Sequence, residues 1–583
     1  MWGELPALNV ARMRGTAWAF ACLLLLLPSC REVQKSGAQV PPLPSDGRDE
    51  TAARIDALFQ LYNEPDSPGC AIGVMKAGEL VYSKAYGSAD VQNRVPLTID
   101  SIFNIGSISK QFTALSILLL ANDGKLRLDE PIQKYIPELP EYSKAITIRH
   151  LLEHSSGLRD QDELLKLGGW HTYEDLITNR DILSLIIRQQ GLNFSPGEEC
   201  AYSDTNYTLL SLIIERVGGM SLREFERSHI FGPLGMNHTL LRDDHTLVVK
   251  NGTFAYIRDA NGTLRTGMTN DESTGAGNVL TSITDYVQWD KNFYTEQVGG
   301  PDAIRLMQTP GHLRNGTVTP YGLGLQVRKY RGLTTVEHGG ADAGYHSFYL
   351  RFPDQQLSVV VFCNIRDHAG ASPSQLAKSV ADIFLPTAQG LEAESQNSTI
   401  HRNSMSLPRD ELEACAGIFY NRRDGSVIVF RVVEDALTLI EDVTSPNSTS
   451  KLICMRSGRF LTQKGDSFEF DDDASTGEVI ARDGTSATTF VRMAPASILP
   501  KALSEFEGSY RSNDVGSTWS VLAANGKLLL RRARFADETL LPVFRDAFYS
   551  EQWTLVFTRD GSGQVNGVTA TNERVREVRF QRQ

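Results

Sequence analysis

The last third of the chain repeats itself. Leu412, Gly417 and Phe419 recur as Leu503, Gly508 and Tyr510, and Leu437 and Leu439 recur as Leu528 and Leu530, each 91 residues further on. Phe470 and Phe490 are answered by Phe557 and Phe580, at offsets of 87 and 90. Short alternating strands and turns run through both copies. Self-similarity of this kind marks a copied structural unit. A small antiparallel β unit protects its edges best by closing on itself. Two small barrel-like β units are therefore expected, over residues 411–496 and 502–583, with one larger β domain as the alternative.

The chain before the repeat has a different texture. A spacer rich in Ser, Gln, Asn and Glu occupies residues 388–410, and the segment from 51 to 387 mixes strands with helices. Residues 70–75 and 80–85 read as strands around the turn Lys76-Ala77-Gly78, a hairpin signal. Helical periodicity covers residues 109–122, with Gly124 as a stop, and 209–217, stopped by Gly218-Gly219. Residues 334–338, 347–352 and 358–363 read as strands again. Strands at both ends with helices between them predict an α/β (α+β) domain whose sheet joins distant parts of the chain.

Composition supports a folded, multi-domain protein: 583 residues, 41% hydrophobic and 22% charged, are enough apolar surface to offset ordering entropy. A net charge of −12 argues against a general nucleic-acid binder, which needs a basic face for phosphate. The amino terminus reads as an address. Arg12 and Arg14 precede an apolar run that ends in Leu27-Pro28-Ser29-Cys30, a secretory pattern too short to span a bilayer. The final tetrapeptide resembles a bacterial lipoprotein box, which makes Cys30 the lipidated residue after removal of residues 1–30. By the same resemblance, Arg31 permits export to the outer membrane, so the expected location is the cell envelope, at the outer membrane or periplasmic face. Residues 31–50 then form a polar linker. Seven cysteines show no metal-ligand spacing, and the sequence does not say which of them pair.

Ser107-Ile108-Ser109-Lys110 places a hydroxyl and an amine on one face at the start of a helix. A serine needs a neighbouring base to act as a nucleophile, and a lysine serves if burial or a nearby cation lowers its pKa. The same spacing at Ser448-Thr449-Ser450-Lys451 has no helix to align it, so spacing alone decides nothing. The first match is followed by Tyr202-Ser203-Asp204 and then by Glu337-His338-Gly339-Gly340-Ala341 at the end of a strand.

At this point the chain resembles the serine β-lactamase and penicillin-binding-protein superfamily, most of all the class C β-lactamases and their esterase and D-amino-acid peptidase relatives. The likeness runs from about residue 58 to 385 and includes Phe103-Asn104-Ile105-Gly106, Ile146-Thr147-Ile148-Arg149-His150-Leu151-Leu152, Pro233-Leu234-Gly235-Met236 and Gly322-Leu323-Gly324. The resemblance implies a β-lactamase/transpeptidase-like domain with a helical subdomain across the cleft. It implies Ser107 as the acylated nucleophile, Lys110 as its activating partner and Tyr202 as the proton shuttle. The backbone N–H groups of Ser107 and Ala341 would form the oxyanion hole, with Gly340 allowing close approach. His338 stands where penicillin-recognising members carry lysine, and Asp204 where the family often has Asn. The first departure points away from an efficient β-lactamase toward an esterase or aminopeptidase, and the second implies altered specificity rather than inactivity.

The resulting expectation is an exported serine hydrolase of esters, amides or peptides, including D-amino-acid peptides, that needs no metal or organic cofactor. Its partners would be a small-molecule or peptide substrate and, through the lipid, a membrane; the oligomeric state is open. A β-lactamase or D,D-carboxypeptidase is the alternative, and a non-catalytic sensor the third. The tandem β units look similar to those attached to D-aminopeptidases, whose barrel loops shape the pocket. His150-Leu151-Leu152-Glu153-His154 has the spacing of a zinc motif, but the helix would end at once and no distal third ligand is evident. Trp170 and His171 fit a substrate wall and a core position equally.

Overall fold

The computed structural model describes residues 45–259, 261–366, 371–385, 405–440, 449–456, 458–462, 466–471, 477–483, 486–494, 500–550 and 552–583. The signal, with Cys22 and Cys30, and most of the two spacers lie outside them, as does Ser448. No helix of the described residues is long and apolar enough to cross a membrane.

The first sheet is stitched from the two ends of the hydrolase-like segment. Its six antiparallel strands run in the order Gln326–Tyr330, Leu333–Asp342, Tyr345–Phe352, Leu357–Cys363, Cys70–Lys76 and Glu79–Tyr86. The hairpin turn has positive φ at both Ala77 and Gly78, the twist that suits a two-residue connection. Alternation sorts the side chains: Ile72, Val74, Val359 and Val361 face one core with Ile55, Phe59, Leu376 and Val380. Ala71, Met75, Val360 and Phe362 face the other, with Phe112 and Trp289. Both faces are covered, so these strands read as continuous apolar runs. Cys70 lies opposite Cys363 in the ladder, and the two form a disulfide that closes 293 residues. Cys200, Cys415 and Cys454 are free.

The helix Lys110–Asn122 is buried nearly all round, as its apolar composition requires. It packs on Asp204–Gly218, which begins five residues before its apolar periodicity. Its first turn is polar because it meets buried polar groups: Thr205 donates to the Arg159 carbonyl at 2.8 Å, and Asn206 meets His154 at 3.0 Å. Helices Ile148–Leu152, Gln161–Gly168 and Asn179–Ile187 complete the helical subdomain.

The repeat is real in three dimensions. Each copy opens with a short helix carrying a buried leucine, Leu412 or Leu503, followed by a glycine and a fully buried ring, Phe419 or Tyr510. In each, an arginine, Arg492 or Arg582, lies against that glycine. The second copy is a closed barrel of eight strands from Gly508–Ser512 to Val578–Arg582. The described residues of the first form a nine-stranded sheet. Its terminal strands, Thr449–Lys451 and Ile453–Arg456, are separated only by Leu452, so its edges nearly meet. The second barrel seats on the helical subdomain through a buried Arg159–Asp514 ion pair at 3.1 Å and through Trp519, whose indole donates to the Leu167 carbonyl at 3.2 Å.

Replacing Cys70 and Cys363 together by Ser removes a closure of this length from the unfolded chain, which is expected to cost about 2–5 kcal/mol. Denaturant unfolding of the oxidised protein and of the double variant checks it.

Candidate active site

Ser107 sits in the 3-10 turn Gly106–Ser109, directly before the central helix. Gly106 adopts φ +52°, and a Cβ there would lie 2.6 Å from the Ala341 nitrogen; only glycine lets the turn and the strand Leu333–Asp342 come so close. A Cβ on Gly340 would collide with the Ile105 carbonyl oxygen and stand 3.2 Å from the Ser107 nitrogen. The sequence-predicted Ser107, Gly340 and Ala341 therefore meet at one point, and two backbone nitrogens of the kind that hold an oxyanion stand there. Ser109, the other serine of the motif, is spoken for: it donates to the Gly106 carbonyl at 2.6 Å and accepts from the Val279 nitrogen at 3.0 Å.

Lys110 is completely buried, with Nζ 3.0 Å from Ser107 Oγ, 2.6 Å from Asp204 Oδ1 and 2.7 Å from the Ala276 carbonyl. Burial pulls its pKa below that of a free lysine, and the Asp204 charge works in the opposite direction. A neutral amine in this place keeps two N–H donors for Asp204 and Ala276 and turns its lone pair to the serine hydroxyl. Asp204 itself is held below the usual carboxylate range, against burial, by Lys110 and Arg574. Tyr202 lies with its ring 4.9 Å from Lys110 Nζ and 4.3 Å from the His154 ring. Its hydroxyl is buried and closes no aligned hydrogen bond. Burial and the Asp204 charge raise its pKa well above the ordinary phenol, and nearby Ser107 offsets this in part.

His338 is buried and pushed down to about 4 by burial and by Lys110. Its Nδ1 lies 2.6 Å from the Gly339 carbonyl, and its Nε2 lies 2.9 Å from the Tyr321 hydroxyl. The proton thus belongs on Nδ1, and the imidazole is neutral at pH 7.

Several members of the site carry no local sequence signal. Asp160 caps the helix Gln161–Gly168, accepting from the backbone of Asp162 and Glu163. Its second oxygen accepts from the Asp204 nitrogen at 2.8 Å. Asp160, Asp162 and Asp204 bring carboxylate oxygens within 4.8 Å of one another. Burial and the Asp204 charge raise Asp160 to about 6. The cleft beside Ser107 is lined by Asp162, Asp204, Asp271, Asp342, Gln161 and Tyr173, among others, and no lysine or arginine is among its described lining residues. Burial raises Asp162 well above the usual range and Asp271 to about 7.

The zinc spacing does not assemble: neither His150 nor His154 belongs to a grouping of three ligand atoms among the described residues. His150 Nδ1 accepts from the Thr147 nitrogen in a capping box, and His154 Nδ1 meets Ser203 and Asn206. His171 stacks on Phe535 of the second barrel at 4.2 Å. That contact places it at the seam between the two units. Thr449–Lys451 is a strand, so the second serine–lysine match lacks helical alignment.

A sheet covered on both faces, a helical subdomain and a serine–lysine–tyrosine cluster between them define a penicillin-recognising serine-enzyme scaffold. The Beta-lactamase family model matches residues 55–381, and the chain belongs to that family. It is similar to a D-aminopeptidase of Gluconobacter oxydans, 27% identical over 92% of this chain and 99% of that one. It is 26% identical to a D-aminopeptidase of Brucella anthropi over 91% and 99%. Penicillin-binding protein 4* of Bacillus subtilis is 28% identical over 53% of this chain and 71% of its own. The octameric penicillin-binding protein homologue of Pyrococcus abyssi shares the fold, with a TM-score of 0.53 at 24% identity over 76% of this chain and all of that one.

Gly340→Ala is expected to slow phosphonylation of Ser107 by a fluorophosphonate, with loss of fluoride, about 100-fold, because its Cβ displaces the Ala341 nitrogen. Gly339→Ala, whose Cβ would meet only the Phe348 ring at 3.5 Å, is expected to react like wild type.

Proposed function

We propose that the chain is a serine hydrolase related to the class C type, exported and anchored by a lipid on Cys30. It cleaves amides and short peptides whose first residue, of D configuration, carries a free ammonium group. The observation that carries this reading is the 3.0 Å approach of a buried lysine to Ser107 at the edge of an acidic cleft. The Ser107 hydroxyl gives its proton to the Lys110–Tyr202 couple as its oxygen bonds to the substrate carbonyl carbon. The carbonyl oxygen takes up the displaced electron pair beside the Ser107 and Ala341 nitrogens. Collapse of this adduct breaks the C–N bond, and the amine leaves with the proton relayed by Tyr202. Water repeats the sequence on the acyl-enzyme and frees the product acid.

Substrate charge follows from the cleft. Asp162, Asp271 and Asp342 suit an ammonium group, whereas a penicillin or a carboxypeptidase substrate presents a carboxylate. His338, neutral at pH 7, offers that carboxylate no positive charge. The D-aminopeptidase relatives, similar along nearly their whole length, support the same class. A disulfide between Cys70 and Cys363 suits an oxidising compartment and supports export. The similarity to penicillin-binding protein 4* favours a second reading, D,D-carboxypeptidase or β-lactamase, in which labelled penicillin attaches to Ser107.

Ser107→Ala is expected to lower turnover of D-amino-acid p-nitroanilides at least about 1000-fold with the fold intact; retained turnover refutes the nucleophile. N-acetylation of the substrate is expected to cost about 10–100-fold in kcat/KM, the range of a charge-assisted contact. A panel of free and acetylated D- and L-anilides, nitrocefin and p-nitrophenyl esters reads this directly.

The acidic cleft sets a pH dependence. Asp271, raised to about 7, is protonated below that pH and cannot hold an ammonium group. KM for amine-bearing amides is therefore expected to rise as pH falls from 8 to 6. Asp271→Asn should raise KM at pH 8 about tenfold and flatten the dependence, with no such effect on acetylated substrates.

A further inference from the structure

Arg574 lies 467 residues beyond Ser107 in sequence, in the turn between strands Val565–Thr571 and Val578–Arg582 of the second barrel. Its guanidinium nevertheless reaches the carboxylates and the ring that surround Lys110. Nη1 is 3.8 Å from Asp160 Oδ2 and 3.7 Å from Asp204 Oδ2, and Cζ is 5.1 Å from the centre of the Tyr202 ring.

The turn is built to hold it there. Asn572 Oδ1 accepts from the backbone of Arg574 and Val575 at 3.0 and 2.9 Å, while its Nδ2 donates to Glu163 at 2.8 Å. The Arg574 carbonyl accepts from the Asp160 nitrogen at 3.2 Å and from Asn193 Nδ2 at 2.8 Å. On the far side, Arg576 grips Glu199 with both guanidinium nitrogens, at 3.1 and 2.8 Å.

We propose that Arg574 is a positioning residue of the catalytic couple: it stands beside the second oxygen of the Asp204 carboxylate, offsetting its charge on Lys110, and faces the Tyr202 ring, so that both groups can accept the Ser107 proton. The assignment rests on Ser107 being the nucleophile. The physical case is an imbalance. Asp204 alone, 2.6 Å from Lys110 Nζ, would hold the lysine as ammonium, and an ammonium ion cannot take a proton. A cation on the other carboxylate oxygen weakens that hold, and the same cation over the ring favours the phenolate. The directions agree: Arg574 lowers Lys110 and lowers Tyr202, although burial is the larger influence on each.

The other groups around the couple are fixed on different elements. Asp204 and Tyr207 come from the helix after Tyr202, and Asp160 and Asp162 from the start of the helix Gln161–Gly168. His154 and Tyr321 pack on the Tyr202 ring, and His338 comes from the strand. Of these, both histidines are held below their ordinary pKa by burial and neighbouring positive charge. Arg574 is thus the group that opposes the carboxylates from outside the catalytic domain.

The test measures the rate of Ser107 phosphonylation by a fluorophosphonate against pH in wild type, Arg574→Gln and Arg574→Lys, with thermal melting of each. In Arg574→Gln the acid limb is expected to move up by about one pH unit while the rate at high pH stays within about threefold of wild type. Arg574→Lys, which keeps the charge, should restore the wild-type limb. An unmoved limb in Arg574→Gln, a uniform loss at every pH, or a lysine variant that behaves like the glutamine variant overturns the proposal. Failure of wild type to be phosphonylated at all overturns the nucleophile instead, so the two failures are told apart.

Discussion

A lysine without solvent is the constraint around which the catalytic domain is arranged. Burying an amine is costly unless hydrogen-bond partners surround it. Lys110 obtains them from Asp204, the Ala276 carbonyl and Ser107. Each partner belongs to a different segment: the helix Asp204–Gly218, the loop before strand Val279–Thr281, and the turn Gly106–Ser109 just ahead of the lysine. The buried amine therefore draws together pieces of chain from distant parts of the sequence. It also explains why the helix Asp204–Gly218 starts in polar sequence, since its first turn is part of the lysine's surroundings.

The acidic character of the cleft is a second consequence. Asp160, Asp162, Asp271 and Asp342 are all raised by burial, which means that each loses stability by being charged where it stands. Carboxylates kept in such places are useful when a cation arrives. Arg574 is one such cation, supplied by the protein, and it ties the second barrel to the chemistry as well as to the framework. The barrel has other deep polar ties to the framework, among them the Arg159–Asp514 and Arg576–Glu199 pairs and the Trp519 indole on the Leu167 carbonyl.

Much of this was legible in the sequence because the information is local. The strand runs and hairpin turn around residues 70–86, the Ser107–Lys110 spacing, and the Gly339-Gly340 pair each encode their own conformation. So did the repeat, because Leu412 and Leu503 plug equivalent positions in two copies of one unit. What escaped was carried by burial and long-range placement. Asp160 has the signature of an ordinary helix cap, and nothing around Asn572-Glu573-Arg574 distinguishes it from any barrel turn. The beginning of the helix at Asp204 was hidden because Asp204 lines the cleft while Thr205 and Asn206 bond to buried polar groups, so apolar periodicity does not apply there. The pairing of Cys70 with Cys363 had no local trace, since it depends on strands from opposite ends of the domain becoming neighbours.

That neighbourhood orders events in the making of the protein. The strand Cys70–Lys76 hydrogen-bonds on one side to Leu357–Cys363, so a nascent chain carries an unpaired central strand until almost three hundred further residues have been synthesised. Contacts that span so much chain form slowly and leave adhesive edges exposed meanwhile.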